Sequence, residues 1–299
     1  MNDVARFHAI EAQMAKDCPG FVHEARELAA RTVNPLTADP YAVWNVLWDK
    51  PLYADTQVLI AHSYIGKLRP FVNGDRWWDW ADPDHPVLTI DGPAHLNASF
   101  AFGSGAPAGL DRIGVAKKCL FAVQGAARAL ARWSAADPHA PLRCHEGRSS
   151  AELIRGMCAE LGPRWGHVTA MHFLAELGLS VRADRWLARA VNRLGLVDAI
   201  NTDRALPNLH EAIAIDAAVK DLVRKVDGTL SPARLRYFDK ILMEAARQGI
   251  VSRQINETAA HPPKTAPATI IPARSTPAAR PFAPSLPRFQ QQEWTVSRF

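Results

Sequence analysis

No stretch of the 299-residue chain comes near the roughly 20 consecutive apolar residues that a membrane-spanning helix requires. The N-terminus also lacks the apolar core of a secretory leader. The expectation is a soluble, cytoplasmic protein. Cysteine is scarce: Cys18, Cys119, Cys144 and Cys158 are scattered, with no CxxC pair, and signal neither a zinc site nor an iron–sulfur cluster. They read as reduced core thiols. His62, His167 and His172 form no metal pattern, so neither metal nor cofactor is expected. Apolar material is not lacking. At 48% apolar and 22% charged residues, the chain has the balance of a globular protein with a substantial core, which excludes disorder throughout.

A basic surface over the whole body is missing too. The net charge is +5, but between Ala259 and Phe299 five basic residues stand against Glu293 alone. That segment therefore holds +4, and the rest of the chain only about +1. Eight prolines in the same 41 residues, among Ala, Thr, Ser and Arg, describe a disordered basic tail. A nucleic-acid partner must then be argued from a local patch. From Arg148 to Leu196, seven arginines face Glu152, Glu160, Glu176 and Asp184, a local net of +3. Between Gly162 and Leu196 there is no lysine, and the charge is carried by Arg164, Arg182, Arg185, Arg189 and Arg193. Forked guanidinium groups suit phosphates.

The rest of the chain reads as helices. Two patterns separated at Cys18-Pro19-Gly20 fill residues 1–33, and Asn34 to Pro40 is a loop. Helices are expected over Tyr41 to Trp48, Asp55 to Phe71, Leu110 to Trp133, Ala151 to Leu161, Ile213 to Val226 and Ala233 to Arg247. Ser149 or Ser150 caps the helix from Ala151, and Ser231 with Pro232 opens the last, which Gly249 ends. Asn73 to Pro107 differs. It holds Trp77, Trp78 and Trp80, four prolines and a possible strand at Val87 to Ile90, and reads as a long irregular insertion. The fold class is all-α. Residues 1–258 make the body, with an insertion at 73–107 and a central region at 151–196, and 259–299 make the tail.

The central region carries the chemistry. A turn punctuated by Gly162, Pro163 and Gly166 leads into an apolar helix, a second turn follows at Gly178, and another helix begins directly after Asp184. Backbone N–H groups at a helix start, on the positive end of the helix dipole, can hold a DNA phosphate. An acid fixed beside the same DNA backbone suggests chemistry at the sugar.

These residues resemble the helix–hairpin–helix DNA glycosylases of the endonuclease III-like superfamily. Members carry a Gly turn running into a Thr-Ala-x-x-x-Leu helix, then an Asp, then Arg at the fifth and often the ninth position after it. Here Gly166-His167-Val168-Thr169-Ala170 with Leu174 is followed by Asp184, Arg189 and Asn192-Arg193-Leu194-Gly195, about 35 residues in all. The resemblance implies a two-lobed helical fold with a cleft. It implies Asp184 as the catalytic carboxylate, and Gly162, Arg164, Gly166, His167, Val168, Thr169, Arg185 and Arg189 as the DNA-gripping set. The partner would be double-stranded DNA, bound by a nucleoid-associated monomer. Val168 occupies the position that carries lysine in strand-cleaving members, so no Schiff base forms and hydrolysis leaves an abasic site. Gly162 and Gly166 are four apart where the family usually has Gly-x-Gly.

An ionised carboxylate near C1′ would stabilise an oxocarbenium-like sugar and orient water. The base must first be flipped from the stack, and Trp77, Trp78 and Trp80 are candidates to hold it. Repair of damaged bases and defence against phage carrying modified bases both fit. Other readings stay open: Asp184 as a helix cap, the arginines as a solvated face or an internal pair, and the Trp cluster as packing. A non-catalytic helix–hairpin–helix DNA-binding protein is the main alternative, and a plain helical interaction protein the third. A base-sized pocket beside Asp184 would favour the enzyme.

Overall fold

A computed structural model describes residues 2–54, 58–70, 72, 74–85, 112–163, 165–197, 200–202, 204 and 206–251. Arg164, the expected strand at Val87 to Ile90, Cys119 (its side chain) and the whole tail from Ala259 lie outside the described residues. Contacts gather Met1–Pro262 into one unit and Pro263–Phe299 into a second, all of which is outside the described residues.

The described residues are all-α. The helices are α1 (Asp3–Asp17), α2 (Pro19–Ala30), α3 (Pro40–Leu47), α4 (Val58–Leu68), α5 (Arg112–Ala136), α6 (Ser150–Leu161), α7 (His167–Glu176), α8 (Arg185–Arg193), α9 (Leu209–Asp227) and α10 (Pro232–Arg247). Short 3₁₀ turns cover Lys50–Tyr53, Gly74–Ala81 and Pro141–His145. No described helix is long and apolar enough to cross a membrane.

Local chemistry explains the boundaries. Ser149 and Glu152 form a reciprocal capping box at the start of α6. Ser231 caps α10, whose first residue is Pro232. α7 ends where Gly178 turns left-handed at φ 63°, and the Leu179 amide reaches back to the Leu174 carbonyl at 2.9 Å, closing the helix end.

Two helices act as centres of packing. α5 is rich in alanine and lies against α3, α6 and the turns Gly74–Ala81 and Pro141–His145. α10 is buried from Leu235 to Ala246 without interruption, with α1, α2, α7, α8 and α9 around it. Phe7 of α1 stacks on Phe238 at 3.8 Å between centroids. One continuous apolar core links the two groups. The Lys50–Tyr53 turn packs on both α5 and α7, so the loop between α7 and α8 comes to lie where the two groups meet.

Of the expected irregular insertion at 73–107, residues 73 and 86–107 lie outside the described residues, and the described part is ordered. Gly74–Ala81 is a 3₁₀ turn packed on α5, and its indoles supply the apolar surface that holds it there. The thiols need correcting as well. Cys144 is exposed, and Cys18 and Cys158 are only half-buried.

Candidate functional site

α6, the turn after it and α7 form the helix–turn–helix unit. The Gly162 amide closes α6 onto Cys158 at 3.2 Å, with Gly162 itself at φ 82°. Trp165 then goes inward: it is buried, and its indole N–H donates to the Ala122 carbonyl of α5 at 2.9 Å. That bond seats the hairpin on the core. Gly166 opens α7 with an extended backbone and no side-chain cap. Among the described residues no side chain satisfies the first-turn N–H groups of His167, Val168 and Thr169, which is the arrangement that accepts an anion. His167 donates from Nε2 to the Pro207 carbonyl at 3.0 Å. The Thr169 side chain is buried, so of the expected DNA-gripping set it can offer a ligand only its backbone.

The loop from Leu177 to Asp184 is held at consecutive amides by two buried carboxylates. Asp216 of α9 accepts from the Ser180 hydroxyl at 2.8 Å and the Val181 amide at 2.9 Å. Asp239 of α10 accepts from the Arg182 amide at 2.9 Å. Gly178 adds a close approach, since a Cβ there would sit 2.2 Å from the Pro232 carbonyl oxygen. The chain then delivers Asp184 to the first turn of α8. Its Oδ1 accepts the Trp186 and Leu187 amides at 2.8 and 2.9 Å, while Oδ2 has no hydrogen-bond partner among the described residues. Asp184 is thus a helix cap with one oxygen left over, and it is half-buried. Capping and catalysis are compatible at this position.

On α8, the Arg185 and Arg189 guanidinium groups lie over the Trp186 ring, 4.8 and 5.0 Å from its centroid. Neither guanidinium has an ion pair among the described residues. The internal pairing that spacing left open for Arg189 is not made. Arg193 instead donates to the Val251 carbonyl at 2.8 Å. The three tryptophans divide. Trp80 is 1% and Trp77 7% exposed, so both are core residues, and only Trp78, at 46%, keeps a free face. The expectation that all three wall a base pocket is corrected to that extent, because a side chain buried in the core has no face left to stack on a base.

A group of ionisable residues that the sequence pattern did not single out lies beside the loop. Glu176 ends α7. Arg236 of α10 donates to its carbonyl at 3.0 Å and also to its carboxylate. Burial alone would raise the Glu176 pKa, but Lys50, Arg236, Lys240 and Arg182 outweigh it and bring it down to about 2. Lys50 pairs with Asp49 at 2.9 Å. Burial opposes its charge, yet Asp49 and Glu176 hold its pKa above the usual lysine range. His172, one turn before Glu176, is pushed well below the usual imidazole range by burial and by Arg182, Lys50 and Lys240, and is neutral at pH 7. Burial lifts the Asp239 carboxyl. Lys240 and the Arg182 amide oppose that rise, and the nearby Asp184 charge adds to it.

These groups lie deep in the protein, yet several remain accessible. The Glu176 side chain keeps 34% of its surface and Lys50 12%, and Tyr53, His172 and Arg182 are also half-buried rather than closed off. Partly accessible, they form one electrostatically coupled cluster, which feels the Asp184 charge through Asp239. A signal for it exists in the sequence: Arg236, Asp239, Lys240 and Glu244 put charge at helical spacing on a helix whose other residues are nearly all apolar. No known family, curated protein or solved structure matches the chain.

Proposed function

We propose that the protein is a monofunctional DNA N-glycosylase that hydrolyses the bond between the sugar and a modified or damaged base. The observation that carries this reading is the Asp184 carboxylate. It is anchored through one oxygen by two amides at the start of α8, has no hydrogen bond to its other oxygen among the described residues, and stands one loop after a helix–turn–helix unit. Duplex DNA would be gripped by the uncapped amides opening α7 and by Arg185 and Arg189 on α8. Phosphate contacts of this kind fix position and carry no base preference.

In the reaction the C1′–N bond breaks with the electron pair leaving on the base. Water adds its oxygen to C1′, and the proton that water loses ends on the base. Asp184 stabilises the positive charge that builds on the sugar between these events. No metal or cofactor enters the scheme, and a monomer suffices. Repair and phage defence use the same chemistry.

The test is a screen of duplexes, each with one modified base, treated with alkali to reveal abasic sites. Asp184→Asn serves as the control, since asparagine caps a helix as well as aspartate does. Wild type should release at least one base, and Asp184→Asn should release it about 100-fold or more slowly with unchanged duplex affinity. Release by the variant at the wild-type rate would remove Asp184 from the mechanism.

A further inference from the structure

Arg185 and Arg189 share one ring. Both guanidinium groups lie within 5.0 Å of the Trp186 centroid, so their charges are no more than about 10 Å apart, comparable with the screening length of dilute salt. The two cations repel each other, and among the described residues no ion pair with a carboxylate relieves the repulsion. Arg234 is the same arrangement completed by the protein. Its guanidinium lies 5.1 Å from the Tyr237 ring and 5.2 Å from the Phe238 ring, and its Nε and Nη2 both donate to the Asp227 carboxylate, the second at 2.9 Å. There an aromatic face steadies the charge and a bidentate acceptor takes the donors. On α8 the aromatic face is present, and among the described residues the acceptor is not. Arg193, one turn further on, has the Val251 carbonyl.

Trp186 is held from both ends. Its side chain is half-buried and packs on the apolar core, while its amide donates to Asp184 Oδ1 at 2.8 Å. The ring that carries the two arginines is therefore fixed to the residue proposed to do the chemistry. Arg185 is exposed and Arg189 half-buried, so both charges are within reach of a ligand. An anion with two charges a few ångströms apart satisfies both forks at once. Successive phosphates of a nucleic-acid strand, which rise about 3.4 Å per step, meet that requirement.

Resting on the DNA glycosylase reading, we propose that Trp186 is a positioning residue, which holds Arg185 and Arg189 as one two-pronged clamp on neighbouring phosphates of the DNA backbone. A freely rotating arginine loses rotamer freedom when it binds. One already held over an aromatic ring loses less. The ring thus adds affinity without adding charge, and that separates its role from the role of the arginines themselves.

Affinity for an undamaged duplex is measured across a salt series for wild type, Trp186→Phe, Trp186→Leu, Arg185→Ala, Arg189→Ala and the double arginine variant, after circular dichroism shows each folded. Trp186→Leu keeps an apolar side chain on the core and removes the aromatic face, whereas Trp186→Phe keeps a ring. Trp186→Leu should weaken binding fivefold or more while the slope of log affinity against log salt stays within about 0.3 of wild type, since no charge is lost. Trp186→Phe should stay within twofold. The double arginine variant should lose at least threefold less than the product of the two single losses, because neighbouring phosphates engage both prongs together. Wild-type affinity in Trp186→Leu, or equal losses in Trp186→Leu and Trp186→Phe, would overturn the proposal and leave DNA binding standing. Should Trp186→Leu fail to fold, the arginine pair decides alone, and strictly additive losses overturn the clamp. If wild type does not bind duplex at all, the glycosylase reading itself falls and this proposal with it.

Discussion

Asp216 and Asp239 invite a side-by-side reading. They stand on neighbouring helices, are 0% and 1% exposed, and accept hydrogen from adjacent amides of one loop, Val181 and Arg182. There the likeness ends. Asp216 is ion-paired: the Ser180 hydroxyl and the Val181 amide share Oδ1, and the Lys220 ammonium lies 2.7 Å from Oδ2, although not in hydrogen-bond geometry. Asp239 has an amide on one oxygen and, among the described residues, no hydrogen-bond partner on the other, with Asp184 near enough to push its carboxyl upward. Both fasten the loop, but only Asp216 does so with a cation at ion-pair distance among the described residues. Neither burial nor an oxygen without a hydrogen bond separates the two, and the ammonium beside Asp216 does.

The largest effect that sharpens this contrast should come from Asp216→Ala, which strands the buried Lys220 charge and frees the loop. Removing one partner of a buried pair costs about 3–5 kcal/mol, and urea denaturation should show a loss of that size. A loss below about 1 kcal/mol would mean that Asp216 fastens nothing. Next in size is the surface arm. Arg185→Ala with Arg189→Ala should lower duplex affinity and flatten the dependence of log affinity on log salt by about 2, since each phosphate that an arginine neutralises adds roughly 0.9 to the slope. An unchanged slope would return both arginines to a solvated face.

Asp239→Asn is the smallest and most diagnostic of the three. Burial holds the folded carboxyl above its unfolded value, so its ionisation opposes folding. The opposition is absent below the unfolded carboxylate range and grows as pH rises toward the folded value. The asparagine variant should therefore gain on wild type in denaturation midpoint as pH is raised from about 4, and show no gain below it. An equal difference at every pH would place Asp239 with Asp216 as a plain fastening.

The helices were legible because their ends are written locally. The Ser149–Glu152 box, Ser231 before Pro232, and glycines such as Gly178 each need only a few neighbouring residues to be recognised. Asp184 was legible for the same reason, as an acid just before an arginine-rich helix. The ionisable cluster was legible only in its α10 part, because its other members come from the Lys50–Tyr53 turn and α7, far apart in sequence. Composition also misled. Three tryptophans in four positions suggested a shared task, but 3₁₀ geometry turns Trp77 and Trp80 into the core and Trp78 outward. Trp165 gave no sign that it would bridge the hairpin to α5 through Ala122.

Gly178 has a consequence for how the sequence can change. Its left-handed backbone and its contact with Pro232 join an outwardly ordinary turn to the first residue of α10, with no room for even a methyl group between them. Arg236, Asp239 and Lys240 follow on that rigid helix. A side chain at 178 must therefore push the whole rod, and the rod carries these three charged groups with it. The atoms met at Pro232 are backbone, so no change of residue there makes room, and a substitution at 178 would displace charged groups that it does not touch.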